Sequence, residues 1–125
     1  MKKSRKKNEK KMARSEHLPI YKKAMEIALY FEQIVRNFSR YNKYTIGADL
    51  RNKSREIACH IMKVNSLQDK REGLRELCGM VDELKVLIRL CGEAKAFYNQ
   101  NSFMHSSRLV AELATQAQGW YAYSK

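Results

Sequence analysis

The stretch LRELCGMVDELKVLIRLCGEAK, residues 74–95, decides the fold that we predict for this chain. Its apolar residues recur every three or four positions, which is the period of an α-helix with one buried face. We expect this helix, the longest and most regular of the chain, to end near Phe97 or Tyr98. Its predicted buried stripe consists of Leu74, Leu77, Val81, Leu84, Ile88 and Cys91.

Two segments before this helix show the same period. The first is predicted to begin at Pro19, because the first turn of a helix tolerates a residue without an N–H, and to run to about Phe38. The joint 39–47 follows it. Thr45 is placed to cap the second helix, and Asp49 falls in its first turn, where a negative charge is favourable.

Polar residues mark the remaining boundaries. Ser66 with Asp69 resembles a capping box before the long helix, and Asn101 or Ser102 can cap a last helix. The apolar stripes of the second and last helices consist of Leu50, Ile57, Ile61, Val64, Phe103, Val110, Leu113, Ala117 and Trp120. Four amphipathic helices with short joints predict an all-α, up-down-up-down four-helix bundle over residues 17–125.

The net charge of +12 is distributed unevenly along the 125 residues. Residues 1–14 hold eight lysines and arginines and one glutamate, so residues 1–16 are predicted to form a disordered basic arm. We favour loose contact with nucleic acid as the role of this arm. Contact with an anionic membrane surface and a solubilising extension are the alternatives. The remainder of the chain is also basic, which predicts polyanionic partners and salt-sensitive association.

The sequence lacks the patterns of membrane and secreted proteins. No apolar run approaches the roughly 18–20 residues of a membrane span, and no apolar segment follows the basic N-terminus as in a signal peptide. Three widely spaced cysteines argue against a disulfide framework, so we expect a cytoplasmic protein. Cys78 and Cys91 are interpreted as small apolar residues of the core.

Catalytic and cofactor-binding patterns are also missing from the sequence. A di-metal bundle needs Glu-x-x-His pairs, and none of the three histidines has a glutamate three residues before it. Glu56 and His60 are one turn apart, and we interpret them as a surface pair. The five glycines are scattered singly, unlike those of a phosphate-binding loop. We therefore predict a protein without enzymatic activity, metal or cofactor.

Basic residues gather on one flank of the long helix when it is drawn as a wheel of about 100° per residue. They are Arg71, Lys85 and Arg89, with Arg75 further round the helix. Asp82 and Glu93 interrupt this side, so the separation of charge is partial. The second helix carries Arg51 and Arg55 one turn apart. We interpret the basic residues of the two helices as one phosphate-binding surface in register, and ordinary solvated charges are the alternative.

The joint 39–47 combines aromatic and basic residues. Tyr41 and Tyr44 stand beside Arg40 and Lys43, a pattern that fits base stacking next to phosphate contacts. Closing one end of the bundle is the alternative role of the two tyrosines.

Several segments, taken in order, resemble the accessory variability determinant (Avd) proteins of diversity-generating retroelements. They are LPIYKKAMEI at 18–27, FSRYNKYTIGADLRNKS at 38–54, KVNS at 63–66, the helix at 74–95 and GWYAYSK at 119–125. These proteins belong to a four-helix-bundle group that includes proteins encoded by intervening sequences of large-subunit ribosomal RNA genes. The stretch ADLRNKSREIACHIMKVNS at 48–66 is more similar to the Avd branch, although Gln118 replaces a usual glycine before Gly119.

The resemblance implies a homopentameric barrel of four-helix bundles with a basic surface. Such proteins bind RNA or DNA and associate with the reverse transcriptase of the element, supporting mutagenic complementary-DNA synthesis from a template RNA. The basic pair of the family corresponds to Lys85 and Arg89, where the lysine keeps the charge but lacks a planar guanidinium. The alternative function is a structural or protein-interaction bundle of the intervening-sequence type, without a dedicated nucleic-acid role.

Overall fold

The computed structural model describes residues 18–124, which form four long helices and one short helix. α1 spans Pro19–Val35, α2 Arg40–Tyr44, α3 Ile46–Asn65, α4 Arg71–Glu93 and α5 Gln100–Ser124. No strand occurs in this part of the chain. The basic arm predicted for residues 1–16 lies outside the described residues.

The long helices form an up-down-up-down bundle, as predicted. Each packs against two neighbours in the order α1, α3, α4, α5 and back to α1, so that four grooves run between adjacent helices. Short joints make successive helices antiparallel. The first and last long helices are antiparallel as well, since Tyr30 near the end of α1 meets His105 near the start of α5, with 4.8 Å between ring centroids. The joints 36–45 and 94–99 therefore lie at the same end of the bundle, here named the upper end.

Burial of the predicted apolar stripes confirms the periodicity. All six stripe residues of α4 and all four of α3 are at most 2% exposed, and this burial is the main stabilising contribution to the bundle. In α5, Val110, Leu113 and Ala117 are buried, whereas Phe103 and Trp120 are partly buried against the core. The stripe of α5 also includes polar positions, which the apolar pattern omits. The buried hydroxyl of Ser106, for instance, donates to the main-chain oxygen of Ser102 at 2.7 Å.

The first joint differs from the prediction. α1 ends at Val35 rather than Phe38, although Phe38 is still buried. The joint contains the short helix α2, which Ser39 caps by accepting a hydrogen bond from the Asn42 N–H at 3.3 Å. Thr45 precedes α3 as predicted, but its hydroxyl donates back to the main-chain oxygen of Tyr41 at 2.8 Å and caps no amide of α3.

The predicted caps of α4 and α5 are wrong. The Ser66 hydroxyl donates to the main-chain oxygen of Lys63 and therefore belongs to the end of α3. Asp69 Oδ1 alone accepts from the Arg71 N–H, at 3.2 Å. Before α5, Asn99 rather than Asn101 or Ser102 supplies the capping oxygen, since its Oδ1 accepts from the Ser102 N–H at 2.8 Å. Runs of Asn and Ser offer several capping side chains, and packing selects among them.

α4 ends at Glu93, four residues before the predicted Phe97. Lys95 adopts a left-handed backbone with φ 58°. Its N–H donates to Gly92 O at 3.1 Å, and the Ala96 N–H donates to Cys91 O at 2.9 Å. This is the Schellman arrangement that ends many helices, with a lysine at the position that usually holds glycine. The turn sends Phe97 back onto the core.

Candidate nucleic-acid interface

Two of the four grooves are crossed by ion pairs that involve lysine. Lys23 Nζ of α1 lies 2.6 Å from Glu112 Oε2 of α5, and Lys53 Nζ of α3 lies 2.7 Å from Glu83 Oε2 of α4. The hydrogen bond from Lys23 lowers the pKa of Glu112, and the same bond raises the pKa of Lys23. Glu83 likewise raises the pKa of Lys53. These lysines are therefore held by carboxylates of a neighbouring helix.

Arg51 and Arg55 of α3 occupy the α1/α3 groove, where both face Glu32 of α1. Arg51 Nη2 donates to the main-chain oxygen of Glu32 at 2.9 Å, in the last turn of α1. Arg51 Nε lies 3.3 Å from Glu32 Oε2, without the alignment of a hydrogen bond. Arg55 pairs with the other carboxylate oxygen of the same residue. Both arginines thus stabilise the contact between α1 and α3.

Lys85 and Arg89 lie on α4 beside the α4/α5 groove and pair only within their own helix. Lys85 Nζ is 4.0 Å from Asp82 Oδ1, and Arg89 Nε is 3.4 Å from Glu93 Oε1. Their side chains are 49% and 81% exposed, so solvent screens these pairs and they contribute little. Among the ion pairs of residues 18–124, none crosses this groove.

The facing helix α5 explains why the α4/α5 groove stays positive. Its one acidic residue, Glu112, points towards α1 and pairs there with Lys23. Towards α4, this helix presents Phe103, Ser107 and Ala111, which line two adjoining hollows with Lys85. No carboxylate therefore reaches Lys85 or Arg89 from α5.

The structure does not place the predicted site residues on one surface. Arg51 and Arg55 face α1, and the α1/α3 groove is on the opposite side of the bundle from the α4/α5 groove. The prediction of one phosphate-binding surface, in register along the two helices, is therefore wrong. Arg71 and Arg75 are exposed near the start of α4. At about 1.5 Å per residue, Arg71 is about 27 Å from Arg89 along the helix axis.

The upper end of the bundle carries the basic residues Arg40 and Lys43 on α2. Tyr41 and Tyr44 are 77% and 73% exposed, unlike residues that close a bundle. That closing role belongs to two phenylalanines of the joints, Phe38 and Phe97, whose rings meet edge-on at 5.6 Å. The two tyrosines remain available for contacts with a partner.

A cleft of about 640 Å³ opens where the α4/α5 groove reaches the upper end. Its basic residues are Lys85, Arg89 and Lys95, and Glu93 is its only acidic one among the described residues. The sequence pattern predicted neither Lys95 as a basic residue of the site nor Phe97 as part of the cleft. A lysine in a left-handed turn has no sequence signal, because the position is normally marked by glycine.

Of the three free cysteines, Cys91 is buried, Cys78 is partly buried and Cys59 is exposed. Between residues 18 and 124, no group of three or more His, Cys, Asp or Glu side chains is placed to hold a metal ion. Burial raises the pKa of the Cys91 thiol to about 12 and that of Cys78 above its usual value, as expected for core cysteines.

The predicted surface pair of Glu56 and His60 is wrong. His60 Nε2 instead lies 2.8 Å from the main-chain oxygen of Gly73 in α4, while Glu56 Oε2 lies 3.2 Å from Lys53 Nζ.

No helix of the described chain is apolar over the length needed to span a bilayer.

No protein-family model matches the chain, and no curated protein matches it significantly. The resemblance to the Avd proteins therefore stays a prediction from the sequence.

Proposed function

We propose that this protein is a non-enzymatic accessory protein that binds RNA or DNA along the α4/α5 groove. The observation that carries this proposal is the pair Lys85 and Arg89, which no carboxylate of α5 faces. Phosphates form charge-assisted hydrogen bonds with such cations and release counterions from the nucleic acid.

The proposed partners follow from the resemblance to the Avd proteins. We propose that the protein forms a basic homo-oligomer, a pentamer in that family, and associates with a retroelement reverse transcriptase during mutagenic complementary-DNA synthesis. Val86 and Leu90 on α4 are 66% and 49% exposed. Neighbouring apolar side chains in solvent favour a protein contact, which supports this part of the proposal.

The proposal is tested by reversing the charge of the groove in the full chain. The double variant Lys85→Glu/Arg89→Glu should lose about 100-fold in affinity for RNA and DNA at moderate salt, because phosphate contacts become repulsive. The slope of log K against log salt concentration should fall in magnitude by about two. The variant Lys22→Glu/Lys63→Glu alters the net charge equally on other helices and serves as the control.

Fluorescence anisotropy with labelled strands measures these affinities, and circular dichroism checks that the helices remain. Equal affinity losses in the double variant and the control would contradict a binding site in the groove. If the unmodified protein binds no nucleic acid even at low salt, the structural or protein-interaction bundle is the correct function.

A further inference from the structure

The cleft at the upper end has aromatic rings as well as cations in its wall. Phe97 and Phe103 both line it and are partly buried, and their rings meet edge-on with centroids 5.6 Å apart. Gly92 makes room for this arrangement. A Cβ at that position would lie 2.6 Å from Phe103 Cε2, so any larger residue displaces the ring.

The core holds these rings in place. Phe97 also meets the buried Phe38 edge-on at 5.6 Å, so three rings form a continuous row from the joint 36–45 to the cleft. Edge-to-face pairs of this kind add to the stabilisation from burial. The aromatic wall is therefore ordered before any ligand arrives, which lowers the entropy lost on binding.

Polar and charged residues line the same cleft as the aromatic rings. The side chains of Lys85, Arg89 and Lys95 supply positive charge, and the exposed amide of Gln100 supplies both a donor and an acceptor. The carboxylate of Glu93 also lines the cleft and pairs with Arg89 at 3.4 Å, so the three cations still outnumber it. The backbone of Lys95 is strained in its left-handed conformation but is held by the two hydrogen bonds of the turn after α4. The lysine thus remains beside the cleft.

We propose that this cleft binds an unpaired nucleotide of single-stranded RNA or DNA, an inference that rests on the proposed function. Its base contacts Phe97 and Phe103, and its flanking phosphates contact the three cations. Aromatic contact with bases beside a positively charged groove is the usual mode of single-strand binding. The volume of about 640 Å³ lies within the roughly 300–1,000 Å³ of ligand sites.

Duplexes fit this cleft poorly for a physical reason. Paired bases are stacked inside the helix, so a duplex presents phosphates to the cations but no base face to Phe97. The protein should therefore prefer a single strand to the same sequence in a duplex. It should also prefer a strand with bases to an abasic strand with the same phosphates.

The test compares labelled RNA and DNA strands of about 12 nucleotides with abasic strands of equal length and charge. The unmodified protein should bind the base-bearing strand about tenfold more tightly. Phe97→Leu should lower this ratio several-fold, because only the ring of Phe103 then remains to contact the base. The control Tyr123→Leu removes an exposed aromatic ring near the C-terminal end of α5, at the other end of the bundle, and should keep the ratio.

A second measurement covers the case in which Phe97→Leu does not fold. A thiouridine-bearing strand irradiated with the unmodified protein should crosslink to the peptide 94–107. Equal affinity for base-bearing and abasic strands, or crosslinks elsewhere only, overturns the unpaired-nucleotide site while charge-dependent binding persists. Absence of binding to every strand instead overturns the proposed function. The RNA and DNA arms decide which sugar is preferred.

Discussion

The α1/α3 and α4/α5 grooves each hold two basic side chains one turn apart, and they differ in what faces those side chains. Arg51 and Arg55 meet Glu32 across their groove. Lys85 and Arg89 meet no carboxylate of α5. The same local pattern therefore stabilises a helix contact in one place, and in the other it leaves cations that only exposed carboxylates of their own helix face. One residue on the neighbouring helix makes the difference.

Arg51→Ala should have the largest effect of the substitutions that sharpen this comparison. We expect a loss of about 1–2 kcal/mol in the free energy of unfolding, because the helix carbonyl of Glu32 loses its charged donor. Lys85→Ala should change it by less than about 0.5 kcal/mol, since its pair is exposed. Urea unfolding followed by circular dichroism measures both free energies. Similar losses in the two variants would contradict the difference between the two grooves.

Placing a carboxylate in the α4/α5 groove should convert it into a groove like α1/α3. Ser107→Glu puts an acid opposite Lys85 and should weaken nucleic-acid binding about tenfold, because the new pair competes with phosphate. The reciprocal variant Glu32→Gln should raise affinity a few-fold by releasing Arg55. Anisotropy titrations at fixed salt measure both changes. A Ser107→Gln variant controls for side-chain size and should retain binding.

Lys95→Gly tests whether the turn after α4 belongs to the binding groove. Glycine adopts the left-handed backbone without strain, so we expect the free energy of unfolding to rise by about 0.5–1 kcal/mol. Binding should weaken by a few-fold, because one cation leaves the cleft. Thermal melting and anisotropy report the two effects separately. Unchanged affinity in a stabilised variant would remove Lys95 from the interface.

The smallest expected effect is the pH dependence of the pair Lys23 and Glu112, another cross-groove contact. In the folded protein the pKa of Glu112 is below its ordinary value of 4.5. The ionised carboxylate therefore stabilises the fold fully at pH values above 4.5, and this stabilisation is lost as the pH falls through the folded pKa. The folded pKa of Lys23 is above 10.5, so its stabilisation disappears as pH rises through that pKa.

Glu112→Gln should therefore lower the melting temperature slightly at neutral pH and leave it unchanged once carboxyl groups are protonated. Melting curves of the variant and the unmodified protein across the acidic range measure the difference. A gap that persists at the acidic end would mean that the side chain acts through packing rather than charge.

Much of the fold was predictable because helical periodicity is a local property. The stripe from Leu74 to Cys91 follows from spacing alone, and every member of it is buried. Helix ends were less predictable. Ser66, Asp69 and Asn99 all have capping side chains, and the sequence contains no measure of which amide each one reaches.

The candidate site was predictable only in part. The wheel correctly put Lys85 and Arg89 on one flank of α4, because angles on a single helix depend only on residue number. It could not show that Arg51 faces Glu32, or that Lys95 and Phe97 return to that flank. Those facts depend on which helix is adjacent and on the turn that ends α4.

The sequence by itself determined the four long helices, their apolar buried residues, the order of the bundle and the excess of positive charge. Tertiary structure alone decided which of those charges are neutralised, since an ion pair between helices needs two residues that are distant in the chain but close in space. It also brought the rings of Phe97 and Phe103 together beside Lys85 and Arg89. Close contacts between distant segments are set by packing of the whole core, and no local pattern encodes them.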